Sequence, residues 1–185
     1  MTNYAAEIAW IDLETTGLTV PDGHWPLQIA AIITDKNFDE LGTLERKIFY
    51  TSDSVFRLKE LAGDYVRAMH EATGLWDQLT DEKNPTLSIL DRDLHAWLVS
   101  FQPEVGKLII GGNSIFLDRE FMRAFLPKSY AHLSYRSLDM TSVEKFFGFT
   151  EARKEFEKKL VHNALDDIRE SIEQAKYHRS LTKPF

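Results

Sequence analysis

The sequence predicts an α/β domain built on a mixed sheet. Three strand-like apolar runs fill the first fifty residues. From Asn84 onward, segments with helical apolar spacing alternate with short apolar runs, an order that lays helices against a sheet. No repeat, low-complexity tract or linker interrupts the 185 residues, and the 43% hydrophobic content suits one sizeable core, so residues 1–185 read as one domain.

Ile8 to Leu13 is the first apolar run, and Thr15-Thr16-Gly17 ends it. Asp22-Gly23, with Pro21 and Pro26 on either side, marks a loop before a second strand at Leu27–Thr34. Asp35-Lys36-Asn37 turns the chain into a third strand over Leu44–Tyr50, giving an antiparallel meander. Between Asp53 and Leu79 the spacing of Phe56, Leu61, Tyr65, Met69 and Trp76, broken at Gly63 and Gly74, predicts short helices. Asn84-Pro85 offers an N-cap and a first-turn proline for a helix whose apolar face is Leu87, Leu90, Leu94, Trp97, Leu98 and Phe101. Leu108-Ile109-Ile110 is a short buried strand stopped by two glycines, and Asn113 or Ser114 can cap the helix carrying Leu117, Phe121 and Phe125. A last strand is expected at Tyr135–Asp139. Thr141 and Glu144 then have capping-box spacing for a helix ending near Gly148, and a final helix follows Asn163.

Charge and composition exclude several classes of function. A net charge of −7 argues against a broad basic surface that grips long nucleic acid, though it leaves room for a compact site. With no cysteine there are no disulfides, thiolate metal sites or thiol catalysis. The first residues lack a basic region followed by an apolar one, and no apolar run approaches a membrane span. A cytoplasmic protein with no membrane partner is expected.

Two carboxylates need a reason in the first strand. Asp12 and Glu14 are two apart, so they point to one face and can share a ligand. Side by side in an apolar strand they would cost several kcal/mol, which a hard divalent cation could offset. The last helix holds a second cluster, His162-Asn163-Ala164-Leu165-Asp166-Asp167. With Asn163 as N-cap, Asp166 falls at the third helical position, where cap and helix dipole account for an acid; Asp167 has no such local explanation. On one continuous helix, residues five apart lie about 140° apart. His162 and Asp167 therefore converge only if His162 precedes the helix.

Asp12-Leu13-Glu14, then Asn113 to Asp118, then His162 with Asp167 five residues on, resemble the DEDDh exonucleases, which have an RNase H-like fold with a mixed β-sheet flanked by α-helices. Within that superfamily the chain is most similar to the oligoribonuclease family, through Trp10 to Glu14, Gly112 to Ile115, Tyr135-Arg136 and Asp166 to Ser171. The resemblance implies two Mg²⁺ or Mn²⁺ ions held by Asp12, Glu14, Asp118 and Asp167. It makes His162 the general base for a water that cleaves very short RNA, from its 3′ end, into nucleoside 5′-monophosphates.

The resemblance also implies substrate contacts. Leu18 matches a wedge between bases, and Ser114, Arg136 and His70 match polar positions around phosphates. Tyr135 matches a tyrosine supplied by the partner in a homodimer, and Tyr65 stands where the family has a tryptophan. Four of these have an ordinary structural alternative: Leu18 as a core leucine, His70 and Tyr65 as helix packing, Arg136 as a partner of Asp139 or of the C-terminal helix. Two departures, Gln28 where an acid is usual and Thr15-Thr16 as in proofreading exonucleases, keep open a DEDDh exonuclease acting on longer DNA or RNA, in the manner of RNase T. A third reading is a binding module that kept the fold; it has no use for four carboxylates and a histidine.

Overall fold

The computed structural model describes residues 5–148 and 163–182. One five-stranded sheet runs through it. The strands are β1 (Ile8–Thr15), β2 (Pro26–Thr34), β3 (Glu40–Lys47), β4 (Ile109–Gly112) and β5 (Ser137–Asp139), in the order β3-β2-β1-β4-β5. The β1, β2 and β3 strands form the expected antiparallel meander; β4 joins β1 in parallel and β5 joins β4 in parallel. The helices are α1 (Ser52–Leu61), α2 (Asp64–Ala72), α3 (Leu75–Gln78), α4 (Leu87–Phe101), α5 (Phe116–Phe125), α6 (Pro127–His132), α7 (Met140–Gly148) and α8 (Ala164–Ser180).

The period-two alternation of β1 sorts the chain into layers. Ala9, Ile11 and Leu13 face one way, with Ile29, Ala31 and Ile33 of β2. They meet Leu90, Leu94 and Leu98 of α4 and Phe121 and Met122 of α5. Ile8 and Trp10 face the other way with Ala30 and Ile32, and α8 covers them with Ala164, Ile168, Ile172 and Ala175. Asp12 and Glu14 continue that second set toward the end of the strand. A third cluster packs Leu27 against Val55, Leu58, Leu75, Trp76 and Leu79, fixing α1 to α3 at one end of the sheet. Gly111 lets β4 pass close to Trp10, since a Cβ there would lie 2.9 Å from the indole ring.

Several boundaries differ from the sequence expectation, each because a distant partner outcompetes a local signal. β3 ends at Lys47 instead of running from Leu44 to Tyr50. Its register against β2 runs from Glu40 opposite Thr34 to Lys47 opposite Gln28, with one irregularity between Ile33 and Thr34, and beyond it Phe49 and Tyr50 donate their N–H groups to Pro85 and Leu79. Asn84 does not cap α4: its amide donates to the Gln78 carbonyl, the Pro85 carbonyl accepts from Phe49, and Thr86 occupies the cap position. Neither Asn113 nor Ser114 caps α5. Asn113 donates to Ser171 of α8, and Ser114, at φ 50°, gives its N–H to Thr141. Thr141 and Glu144 form no capping box, because Thr141 serves Ser114 and Glu144 accepts from Gln174; the Asp139 carboxylate receives the Ser142 N–H instead. The parallel strands are shorter than expected or shifted, starting at Ile109 and Ser137. Asn163 does cap α8, accepting from Leu165 and Asp166.

One buried carboxylate is structural. Asp91 of α4 accepts from the backbone N–H groups of Lys128 and Ser129 and from the Ser129 hydroxyl, so one helix caps the start of another. Asp91→Ala leaves those donors unpaired. The expected loss is about 2–3 kcal/mol, the range for buried bonds to a charged group. That corresponds to roughly 5–10 °C in melting temperature for a chain of this size, measured by thermal denaturation. An unchanged melting temperature would show that water replaces the carboxylate.

Candidate metal centre

β4 pairs with β1 only as far as Trp10 opposite Gly111, so the last residues of β1 have no neighbour on that edge. The Leu13 N–H, left without a strand partner there, donates to the Asp118 carboxylate from the first turn of α5 at 3.0 Å. Asp118 thus reaches across the open end of the sheet from the α5 layer. From the opposite layer, α8 brings Asp167 over the face that carries Asp12 and Glu14. Carboxylate oxygens of Asp12, Glu14 and Asp167 lie within 4.8 Å of one another. Asp166, one residue earlier, is exposed and pairs with Arg169 at 3.9 Å, as its cap position predicts.

The electrostatics record what this crowding costs. Burial, and then the neighbouring Asp167, push the Asp12 carboxyl up to about 7. Burial, then Asp12, then Asp167, push Glu14 up to about 8. Asp118 is also held well above its ordinary value, by burial first and Asp12 next, against the lowering effect of the Leu13 N–H. Four carboxylates in this space cannot all ionise comfortably without cations. An all-oxygen donor set of this kind fits hard divalent ions, and Asp12, Glu14, Asp118 and Asp167 are the residues that would hold them. Gln28, directly opposite Glu14 in the β1–β2 register, adds no further charge; its amide donates to Glu45 at 2.6 Å.

A stability profile tests the clash. Asp12 and Glu14 bind protons more tightly folded than unfolded, because their values rise from 3.8 to about 7 and from 4.5 to about 8. Their contribution is therefore greatest below about pH 4 and is lost as pH climbs through about 7–8. In EDTA, the wild-type melting temperature should fall over that window more steeply than that of Asp12→Asn, and Mg²⁺ should restore it. Parallel profiles would mean that the carboxylates do not repel.

The supporting contacts were less legible in the sequence. His70 is 1% exposed, lying behind Glu14 instead of at the surface. Its Nε2–H donates to the Thr15 carbonyl at 2.9 Å, and Nδ1 faces Glu14 at 3.9 Å. Burial lowers the imidazole's affinity for a proton, so this contact is a packed neutral neighbour and not an ion pair. Asn113 donates to the Ser171 hydroxyl at 2.6 Å, which donates to the Asp167 carbonyl at 2.9 Å, tying the β4–α5 loop to the start of α8. The sequence offers Asn113 only as a helix cap and Ser171 only as part of a motif; their place beside Asp118 and Asp167 was the available signal for this link.

The substrate-contact candidates lie mostly at the surface. Leu18, Tyr65 and Tyr135 are 71%, 73% and 78% exposed, so the core-leucine and helix-packing alternatives fail for the first two. Leu18 lines a pocket of about 170 Å³ with Asp12, Asp118, Leu117 and Phe121. The Arg136 guanidinium sits over the Tyr135 ring, 4.8 Å from its centre. Ser114 is held by Thr141 at 3.0 and 3.2 Å. His162 lies outside the described residues.

A sheet with acidic side chains converging on it from a strand and from two helices in opposite layers is suited to hard divalent cations. Comparisons with known proteins give the family. The exonuclease family model matches residues 9–175. The oligoribonuclease of Francisella tularensis subsp. novicida is 35% identical over 175 residues, covering 95% of each chain. That of Rhodococcus jostii is 33% identical over 176 residues, 94% of this chain and 86% of its own. The chain belongs to the exonuclease family, and within it to the oligoribonucleases. In structure it resembles a zinc-bound complex of Escherichia coli exonuclease I with single-stranded DNA, at a TM-score of 0.71 and 18% identity over 95% of this chain. Exonuclease I of Methylocaldum szegediense follows at 0.67 and 17%. The chain spans about 40% of the length of those two structures, and the likeness is one of fold, the RNase H-like arrangement.

Proposed function

We propose that this chain is a 3′ to 5′ exoribonuclease that degrades dinucleotides and very short RNA to nucleoside 5′-monophosphates, working in the cytoplasm as a homodimer of single exonuclease domains. The observation that carries this reading is the convergence of Asp12, Glu14 and Asp167 on a chain matched along nearly its whole length by oligoribonucleases. Two Mg²⁺ or Mn²⁺ ions held by Asp12, Glu14, Asp118 and Asp167 would supply a Lewis acid for the phosphate and a more acidic water. His162 takes the proton of the attacking water. The water oxygen bonds to phosphorus as the bond to the 3′ oxygen breaks, and that oxygen leaves with a proton. Asp118 and the Asn113–Ser171 link hold the carboxylates at fixed separation, and His70 packs Glu14 from behind.

The pocket beside Leu18 receives the terminal nucleotide, with Leu18 as wedge and Tyr65 as stacking face. Ser114 and Arg136 close on the 5′ phosphate, and Tyr135 completes the site of the partner subunit. Longer substrates find little support on a chain of net charge −7. The reading as a DEDDh exonuclease on longer DNA or RNA is less favoured, since kinship to oligoribonucleases spans the chain while likeness to exonuclease I rests on fold.

Comparing kcat/KM for 5′-phosphorylated di-, tetra- and heptaribonucleotides tests the proposal. The dinucleotide should win. Arg136→Ala should cost it roughly tenfold or more, the worth of a charged hydrogen bond, and cost the heptanucleotide less. Mixing Tyr135→Ala with His162→Ala should restore some activity through heterodimers with one intact site. Equal efficiency at all lengths would move the protein to the general exonuclease reading.

A further inference from the structure

The acidic cluster stands on a divide between two pockets. On the α5 side is the pocket shared by Asp12, Asp118 and the apolar walls of Leu18, Leu117 and Phe121. On the β3 side is a second, of about 130 Å³, lined by Glu14, Gln28, Lys47, Thr73, Gln78 and Asn163 together with Leu75. Thr73 and Gln78 are exposed, Lys47 is half-buried and Gln28 is buried, so this pocket runs from solvent inward to the back of Glu14. None of the proposed nucleotide contacts lines it. Its side chains are polar except for Leu75, and its volume has room for several waters.

In-line displacement puts the nucleophile and the leaving oxygen on opposite faces of phosphorus. A nucleotide seated beside Leu18 covers the α5 side of the cluster, so the attacking water needs another way in. Asn163, the N-cap of α8, stands in the wall of the second pocket. We propose that the Glu14–Lys47–Thr73 pocket is the water inlet of the reaction, a port that remains open to solvent while nucleotide fills the pocket beside Leu18. The inference rests on the hydrolytic reading above. It predicts that a small alcohol entering by the port competes with water. Methanol oxygen then bonds to phosphorus, its proton goes to the base, the 3′ oxygen leaves, and the product is the methyl ester of the nucleoside 5′-monophosphate.

The absence of cysteine makes single-thiol probes clean. Thr73→Cys and Leu117→Cys are labelled with a methanethiosulfonate reagent, with and without adenosine 5′-monophosphate and Mg²⁺. Nucleotide should protect Leu117→Cys and leave Thr73→Cys reacting at its unliganded rate. Turnover of an RNA dinucleotide in water–methanol mixtures then gives the ratio of methyl ester to free monophosphate, which does not depend on overall speed. A bulky adduct on Thr73→Cys should lower that ratio severalfold, and Gln78→Ala should raise it. Protection of Thr73→Cys as strong as that of Leu117→Cys would assign the pocket to the nucleotide, and a ratio unmoved by both changes would bring the nucleophile in elsewhere; either result overturns the inlet. Failure of the unsubstituted protein to cleave any RNA dinucleotide would instead overturn the short-RNA reading on which the inlet rests.

Discussion

Asp12→Asn and Asp167→Asn proteins are expected to fold, to melt at higher temperature than wild type in EDTA at pH 8, and to have lost hydrolysis. The two effects have one cause. On the proposed reading each carboxylate serves a cation, and neutralising it relieves the repulsion that raises Asp12 and Glu14. The same change removes a ligand whose ion contributes several kcal/mol to transition-state stabilisation, a loss of roughly 10³-fold or more in kcat. Thermal denaturation and single-turnover cleavage of a dinucleotide, run on the same preparations, check both arms. Near-normal metal-dependent turnover by either variant would remove that residue from the metal centre. An inactive variant that also melts lower would point to a structural role.

His162→Ala is expected to lower kcat by roughly 10²–10⁴, the usual contribution of a positioned general base, while leaving the Mg²⁺-induced rise in melting temperature intact. The contrast with Asp12→Asn is the informative part, since a ligand loss should abolish both the rate and the metal response. A base that must be deprotonated to act also imposes an acidic limb on the rate, and that limb should shift or vanish in His162→Ala. If rate and pH profile survive, the water is activated without His162.

Much of the architecture and the core of the site could be read directly from the chain. The alternation in Ile8–Glu14 sets apolar residues on both faces and two acids on one, which locates the first strand and marks where its burial turns into chemistry. Asn163 fixes the start of α8, and that separates a cap-explained Asp166 from an unexplained Asp167; the ion pair of the former with Arg169 and the meeting of the latter with Asp12 and Glu14 follow. The face Leu90-Leu94-Leu98 is legible from spacing, because helical periodicity is local and the core needs only one stripe.

Tertiary structure alone decided what depends on a partner far along the chain. The ends of β3, α4 and α7 moved because Pro85, Asn84 and Thr141 spend their hydrogen-bonding groups on Phe49, Gln78 and Ser114, pairings that no local pattern encodes. Asp118 enters the cluster because β4 stops pairing early and leaves the Leu13 N–H to it across 105 residues. His70 goes behind Glu14 because α2 turns it inward onto the Thr15 carbonyl. Sequence by itself determined the layers, the strand bearing two acids and the helix bearing a third, since period and cap chemistry act within a few residues. The closure of those acids into one site, and the polar port behind it, were decided by long-range backbone pairing, where an unpaired donor at a strand end selects its acceptor from whichever helix the packing brings within reach.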